Sequence, residues 1–480
     1  MGFLSNLIKP SAPAMTQEQI INKYIQDFES SQKRNDMLIG ERYYDNENDI
    51  KQRKIYKYID GQKVEDKERP NNKLSHGFAN LLIDEKVSYL LGTSPKITAD
   101  DEEFQKRLIE ILDYKFDDKL QEIGVEASNK GIAWLQPYIN SNGELKFRKH
   151  ESEQIIPIYK DNTKEELEAI IRFYYVETYE GDKKSDVKKV EYWTKDTVTY
   201  YTNYKGNLIP DIEAIGEGET VGHFLVNGVY QSWGKVPFIP FRNNSREKND
   251  LTYFKDLIDD YDKNTSDTSN TLDDIARFIY VLKNYGGTDL NEFLTDLKLY
   301  KVVKVDDDGG VDKLSPDIDI EAVERHLDRL KKDIYTFGKG VDKDTDKFGN
   351  SPSGVSLKFL YAALDLKCDQ MERKFKNAFD ELFWFIAEYL KLTNKGTHDY
   401  KTAKVTFVRN MLINVSDSIK NVGDSLGIVS KKTLLENHPF VSDLSEELLR
   451  LEEEKKLHEE EAGLDYDNIP LPKDGEVDEG

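Results

Sequence analysis

Three aspartates at two-residue spacing, Asp342, Asp344 and Asp346, match the first three ligands of a calcium-binding loop. The match stops there, because Lys347 stands where the loop needs glycine and Ser353 where it needs glutamate. Just upstream, Gly338-Lys339-Gly340 lacks the spacing and the hydroxyl of a phosphate-cradling P-loop. The seven histidines are scattered, and no H-E-x-x-H or G-x-S-x-G run occurs. His76 has no second ligand at useful spacing. Asp306, Asp307 and Asp308 could hold a cation or could simply turn a hairpin. Tyr174, Tyr175, Tyr192, Trp193, Tyr200, Tyr201 and Tyr204 could stack on bases, but few basic groups converge on them, which favours packing within a sheet. Cys368 is the single cysteine; in a helical stretch it reads as a small packed side chain, not a nucleophile. These residues make no catalytic constellation. The expectation is a protein that is not an enzyme and that carries neither metal nor cofactor.

Composition narrows the class further. The chain has 480 residues, 68 basic and 91 acidic side chains, and a net charge of −23. A duplex-binding protein of the ordinary kind would show a basic patch to replace phosphate counterions. An acidic protein through which DNA passes without sticking is still allowed. One cysteine permits no intrachain disulfide, consistent with a reducing cytoplasm. No apolar run reaches membrane-span length. The N-terminal Met1-Gly2-Phe3-Leu4-Ser5-Asn6 has Asn6 where a myristoylation signal needs Ser or Thr. Residues 3–8 lack the basic flank of a signal peptide, so a soluble chain with a loose N-terminus is expected. From Val441 to Gly480 there are 15 acidic and 4 basic residues, a net of −11. The tail 464–480 is therefore expected to be disordered.

The remaining pattern predicts a mainly helical α+β protein. Helices are expected at 16–30, opened by a Thr16/Gln19 capping box, at 37–44, from Asn71-Asn72-Lys73-Leu74 to Gly92, and from Phe104 to Val125. A basic polar strip over 51–70 reads as a solvated excursion. From Ala133 the texture turns to short strands separated by Asn, Asp and Gly, an antiparallel sheet ending at Val236–Asn244. Residues 262–271 (Asp-Lys-Asn-Thr-Ser-Asp-Thr-Ser-Asn-Thr) have poor helix propensity and no large apolar residue. Propensity alone makes them a loop between apolar stripes on either side. A compact insert follows: a strand near 278–282, a short helix over 290–297, a strand over 299–305, a turn at 306–310 and a strand at 311–314. Glu321–Asp333 is amphipathic, and 336–350 reads as a mobile Gly/Lys/Asp loop. The longest helix runs from Ser353 past Leu390, its apolar residues recurring every three or four positions. A strand over 404–409 and helices at 416–426, 430–436 and 444–461 complete the chain.

Several runs carry a resemblance. DIYTFGKGVDKD…SGVSLKFLYAALDLKCDQMERKF, YYDNENDI with PNNKLSHGFANLLIDEKVSYLLGTSPKIT, VPFIPFRNN and TLLENHPFVSDLSEELLRLEEE resemble tailed-bacteriophage portal proteins. The likeness is to the type common in phages of Gram-positive hosts, and it spans about 17–461. It implies an N-terminal region and wing over 1–250, a stem helix over 251–277, and a small α/β clip over 278–318. A second stem helix (319–337), a tunnel loop (338–352), a long wing helix (353–394) and crown helices (395–463) would follow. It makes 262–271 helical despite propensity, its polar residues meeting neighbours in a ring. The ring, usually dodecameric, would sit at the capsid portal vertex of the virion after synthesis in the host cytoplasm. Its partners would be the terminase large subunit, a head-completion or adaptor protein, major capsid and scaffolding proteins, and double-stranded DNA read without sequence specificity. No membrane is implied. Lys339, Lys343, Asp344, Lys347 and Asn350 would face DNA in the tunnel loop, with Phe337 and Phe348 anchoring its ends. Asp289, Asn291, Glu292, Asp296, Asp306, Asp307 and Asp308 would offer clip contacts to partners. Composition alone also admits a non-enzymatic cytoplasmic helical scaffold or adaptor with an acidic tail, which leaves the loop-plus-long-helix arrangement unexplained.

Overall fold

The structure, a computed structural model, describes residues 15–67, 69–180, 182–215, 220–226, 228–275, 279–283, 289, 310–314, 319–342, 354–410, 415–436, 438–441 and 444–463. It divides into two compact units, Met1–Asp342 with Ala362–Asn410, and Lys343–Tyr361 with Met411–Gly480.

The first unit opens with α1 (Gln17–Glu29) and α2 (Gln32–Tyr44). The capping box forms: Thr16 Oγ1 accepts from the Gln19 N–H, and Gln19 Oε1 accepts from the Thr16 N–H. The basic strip, read as a solvated excursion, is exposed there and ordered as a hairpin, β1 (Tyr56–Ile59) with β2 (Gln62–Glu65). Its turn, Asp60-Gly61, has both residues at positive φ, +49° and +79°, the geometry that matches the twist of two-residue hairpins. The helix expected from Asn71 starts later, as α3 (Phe78–Leu91). The single helix expected over 104–125 is two, α4 (Glu102–Ile111) and α5 (Tyr114–Lys130). Asp113 separates them, its carboxylate accepting the Lys115 and Phe116 N–H groups as an N-cap.

Two antiparallel sheets follow. The larger runs β10-β9-β8-β7-β6 with β11 on β9 (β6 Ile155–Tyr159, β7 Leu167–Glu180, β8 Lys183–Trp193, β9 Val198–Tyr204, β10 Asn207–Pro210, β11 Thr220–Val221). The smaller is β14-β4-β5 (β4 Ile132–Ile139, β5 Leu145–His150, β14 Ile239–Arg242). Two further short pairs are β3 (Lys96–Thr98) with β17 (Lys404–Thr406), and the hairpin β12 (Phe224–Val226) with β13 (Val229–Gln231). A short α6 (Ile212–Ile215) lies between β10 and β11. Ile21 and Ile25 of α1 pack on Ile156, Ile171 and Phe173 of the large sheet. Tyr201 is buried there with them, while Tyr175 and Tyr204 are exposed. Trp134, Trp193 and Phe238 form a second core with Met37.

Next come α7 (Lys255–Ile275), the strand pair β15 (Ile279–Lys283) and β16 (Gly310–Leu314), α8 (Ile320–Gly338) and the long α9 (Gly354–Leu392). The helix and strand expected at 290–297 and 299–305 lie outside the described residues. Phe375, Phe379, Phe383 and Ile386 of α9 are fully buried. Phe241 of β14 meets Phe375 edge-to-face at 5.0 Å, and Trp233 meets Phe385 likewise at 5.5 Å. The second unit carries α10 (Val415–Asp424), α11 (Lys431–Glu436) and α12 (Leu444–Gly463).

Candidate functional site

The polar helix α7 is the centre of the region that the sequence marks for function. Its small polar residues do not weaken it, because many close onto its own backbone. The hydroxyls of Thr265, Thr268 and Thr271 donate to the carbonyls of Tyr261, Asn264 and Asp267, at 2.7 to 2.8 Å. Asp262, Ser266 and Asn270 do something else. They are buried and spaced by four residues, and they accept the backbone N–H groups of His76 (3.0 Å), Leu74 (3.0 Å) and Asn72 (2.7 Å). Four residues of helix advance about 6 Å, and two residues of extended chain about 6.6 Å. The acceptors on α7 therefore keep step with alternate residues of an extended strap, 71–76. This is why α3 starts late: the strap's donors are already satisfied by α7. Polar contacts expected to reach ring neighbours are thus used in part within the chain. Asp262 also accepts from Asn48 Nδ2 at 2.6 Å and from His76 Nδ1 at 2.7 Å. Nothing in one-residue propensity signals this pairing, although the i, i+4, i+8 run of Asp, Ser and Asn is visible in hindsight.

Helix α8 lies against α7, with Leu330 and Ile334 buried and His326 Nε2 3.1 Å from Asp260. Its end is tightly made. Lys339 takes the left-handed conformation (φ +57°), and the Gly340 N–H donates to the Tyr335 carbonyl at 2.9 Å. Gly340 passes so close to α3 that a Cβ there would sit 2.1 Å from Leu82 Cδ2. Val341 is buried, and its N–H donates to Glu85 Oε2 at 2.8 Å. So 338–341, expected to be mobile and unpacked, is docked structure. Lys339 stands at a cleft of about 200 Å³ lined by Asn243, Asp250, Tyr253, Phe337 and Lys367. Phe337 itself is 57% exposed. Lys343, Asp344, Lys347, Phe348 and Asn350 lie outside the described residues, as do Asn291, Glu292, Asp296, Asp306, Asp307 and Asp308. Asp289 is exposed.

Beneath the cleft is an ion cluster that the sequence reading missed. The fully buried Lys86 Nζ donates to Ser128 Oγ (3.0 Å), Asn243 Oδ1 (2.6 Å) and Asp250 Oδ2 (3.0 Å). Lys367 Nζ reaches the same carboxylate at 3.1 Å and donates to the Gly338 carbonyl at 2.9 Å. Burial lowers the Lys86 ammonium's pKa. Burial alone would raise Asp250, but Lys367 and Lys86 hold it well below the usual carboxylate range. A second cluster gathers Glu126, Glu151 and Glu153 within 4.8 Å, as a metal site would. Lys130 Nζ already stands among them, 2.7 Å from Glu151 and Glu153 and 3.3 Å from Glu126. An ammonium fills the cation's role there. Cys368 is buried, with its thiol pushed up to about 11 by burial, so it packs and does not react.

A family model described as "Phage portal protein, SPP1 Gp6-like" matches residues 22–461. The portal protein of Bacillus phage SPP1 is 37% identical over 431 residues, 89% of this chain and 85% of the relative. That of Clostridium phage phiCD119 is 34% identical over 453 residues, 91% of this chain and 96% of the relative. The chain belongs to the phage portal protein family. Among solved structures, a chain of the virion of a native gene transfer agent particle aligns with TM-score 0.43 and 8% identity, covering 74% of this portal chain and 88% of its own length. A chain of the neck of that particle aligns with TM-score 0.39 and 10% identity, over 75% and 89%. Portal proteins are structural components of the phage, and among the described residues no helix is long and apolar enough to cross a membrane.

The buried charges of this portal chain set its acid sensitivity. Burial would raise Glu247, but Lys33, Lys164 and Arg242 pull it down to about 2. Burial likewise opposes Lys130 and Lys149 at Glu151, and they too prevail, at about 2. Carboxyls lowered in the folded state stabilise it above their unfolded values, near 4, and that stability is lost as pH falls through the window below. Burial also lowers His150 to about 3 and His223 to about 4. Their contribution is present above about 6.5 and falls away below it. Glu126 and Glu381, raised chiefly by burial, work in the opposite sense. The urea midpoint followed by tryptophan fluorescence is expected to decline from pH 7 to 5 and more steeply from 4 to 3. A midpoint flat across that range contradicts the assignment.

Proposed function

We propose that the chain is one subunit of a ring, of the dodecameric kind, that forms the channel for DNA at one capsid vertex. The observation that carries this reading is the family match over 22–461, which takes in α7, α8, the following loop and α9. In this reading 251–277 and 319–337 are the stem, 278–318 the clip, 338–352 the tunnel loop and 353–394 the wing helix. The terminase large subunit docks during packaging, and head-completion proteins bind afterwards. Capsid and scaffolding proteins surround the ring in the virion. A chain of net charge −23 repels phosphate and keeps duplex DNA moving, while Lys339, Lys343 and Lys347 make weak transient contacts with it. The tightly capped end of α8 gives the loop a fixed root from which to act.

Electron microscopy of the purified protein should show rings with a central channel, and monomers at every concentration would refute the reading. Replacing Lys339, Lys343 and Lys347 together with alanine should leave the rings intact, since the cap of α8 at Lys339 is made by backbone groups that alanine retains. DNA packaged by heads carrying that ring should fall in amount or rate. Normal packaging would reduce the loop to a passive connector.

A further inference from the structure

The cleft at the capped end of α8 is lined by donors that the chain does not use for itself. Tyr253, Lys339, and Lys367 and Gln370 of α9 stand around it. Among the described residues, no hydrogen bond or ion pair engages the Lys339 ammonium, the Gln370 amide or the Tyr253 hydroxyl. Lys367 Nζ uses two of its three N–H groups, on Asp250 Oδ2 at 3.1 Å and on the Gly338 carbonyl at 2.9 Å, which leaves one. The groups that would turn an anion away are already occupied. Asp250 Oδ1 accepts from Asn243 Nδ2 at 2.9 Å, and Oδ2 from Lys86 at 3.0 Å. The carbonyls of Tyr335, Thr336 and Gly338 accept from the Gly340 N–H, the Lys339 N–H and Lys367.

Charge and donor number indicate the ligand. Lys339, Lys367 and the underlying Lys86 bring three positive charges against the one negative charge of Asp250, a local +2 within a chain of net −23. Asp250 is the only carboxylate among the described residues that line the cleft. The rings of Phe337 and Tyr253 wall it, and apolar walls strengthen the field of the lysines. A side-chain carboxylate would bring a single charge and two oxygens, and so would the diester of a DNA backbone. A phosphate monoester brings about −1.5 to −2 and three acceptor oxygens, which matches both the charge and the spread of donors. The volume of about 200 Å³ is several times a water molecule's share of about 30 Å³, room enough for such a group.

We propose that this cleft is a binding site for a phosphate dianion, held by Tyr253, Lys339, Lys367 and Gln370, its source either free phosphate or the terminal phosphate of a 5′-phosphorylated DNA strand. Only the DNA source rests on the ring reading above; the site itself lies within one chain.

The test titrates the full chain with inorganic phosphate by calorimetry, in chloride buffer at constant ionic strength. Saturable binding of one phosphate per chain is expected, with sulfate competing and acetate not. Lys339→Gln keeps the backbone bonds of the α8 cap and should weaken binding about tenfold, the effect of losing one hydrogen bond to a charged group. Gln370→Ala should weaken it less. Lys106→Gln removes the same charge from an exposed position on α4 and should change nothing; circular dichroism checks the fold of all three. Uptake without saturation, equal competition by acetate, full binding by Lys339→Gln or equal weakening by Lys106→Gln overturns the proposal. Short duplexes ending in 5′-phosphate or 5′-hydroxyl are then added to the phosphate-loaded protein. Displacement by the phosphorylated duplex alone assigns the site to DNA ends, and displacement by neither assigns it to free phosphate. Equal displacement by both would put the backbone diester in the cleft and overturn the dianion assignment. A protein that binds phosphate but forms no ring refutes the ring reading alone; rings that bind no phosphate refute the site alone.

Discussion

Replacing Asp250 with alanine should lower the unfolding free energy of the first unit by about 3–5 kcal/mol, the usual effect of leaving buried charge unpaired. Among the described residues, Asp250 is the one carboxylate facing both Lys86 and Lys367 in the cluster beneath the cleft. With a side chain 5% exposed, it cannot hand its role to water. Its loss would strand the Lys86 ammonium, which is fully buried, with only Ser128 and Asn243 as neutral acceptors. Asp250→Asn keeps the shape and some hydrogen bonds but not the counter-charge, so it should fall between wild type and alanine. Lys86→Met should cost less than Asp250→Ala, because Asp250 would still hold Lys367. Combining Lys86→Met with Asp250→Ala should therefore cost less than the two separate losses added together. Urea unfolding at fixed protein concentration is the measurement, followed by Trp134, Trp193, Trp233 and Trp384, all in the first unit. Additive losses would show that the three side chains do not act as a unit.

That cluster was illegible in the sequence because its members are far apart in the chain and each looks ordinary locally. Lys86 sits inside an apolar helical stripe and reads as a solvated interruption, yet it is among the most buried side chains of α3. The long helix was legible for the opposite reason: its periodicity is local, and Phe375, Phe379, Leu382 and Phe383 fall on the buried face that the spacing requires. The hairpin at 56–65 had a usable local signal, Asp60-Gly61 between two runs of strand-forming residues, which the surrounding lysines obscured. Helix α7 needed the family resemblance, since propensity argued against it. Of the candidate site, the cap of α8 at Lys339 has described geometry, whereas Lys343, Asp344, Lys347 and Asn350 fall outside the described residues and their roles were read only through the resemblance.

The structure explains α7 in a way that can be broken. Asp262→Ala would remove the acceptor for the His76 N–H and one of the two acceptors of Asn48 Nδ2, whose other is the His76 carbonyl, all in part-buried or buried positions. Each orphaned donor costs about 1–3 kcal/mol, so a loss on the order of 3 kcal/mol is expected. Ser266→Ala removes one neutral acceptor, that of the Leu74 N–H, and should cost about 1 kcal/mol. The two outcomes differ in reach as well as size. Asp262 ties the strap to Asn48 and thereby to the segment after α2, while Ser266 touches the strap alone. Hydrogen exchange separates them: in Asp262→Ala the amides of Leu74 and His76 should both exchange faster, and in Ser266→Ala mainly that of Leu74. Unaltered protection of all three strap amides in both variants would mean that α7 does not hold the strap. The helix's polar residues would then have to be accounted for by contacts outside the chain, as the ring resemblance first implied.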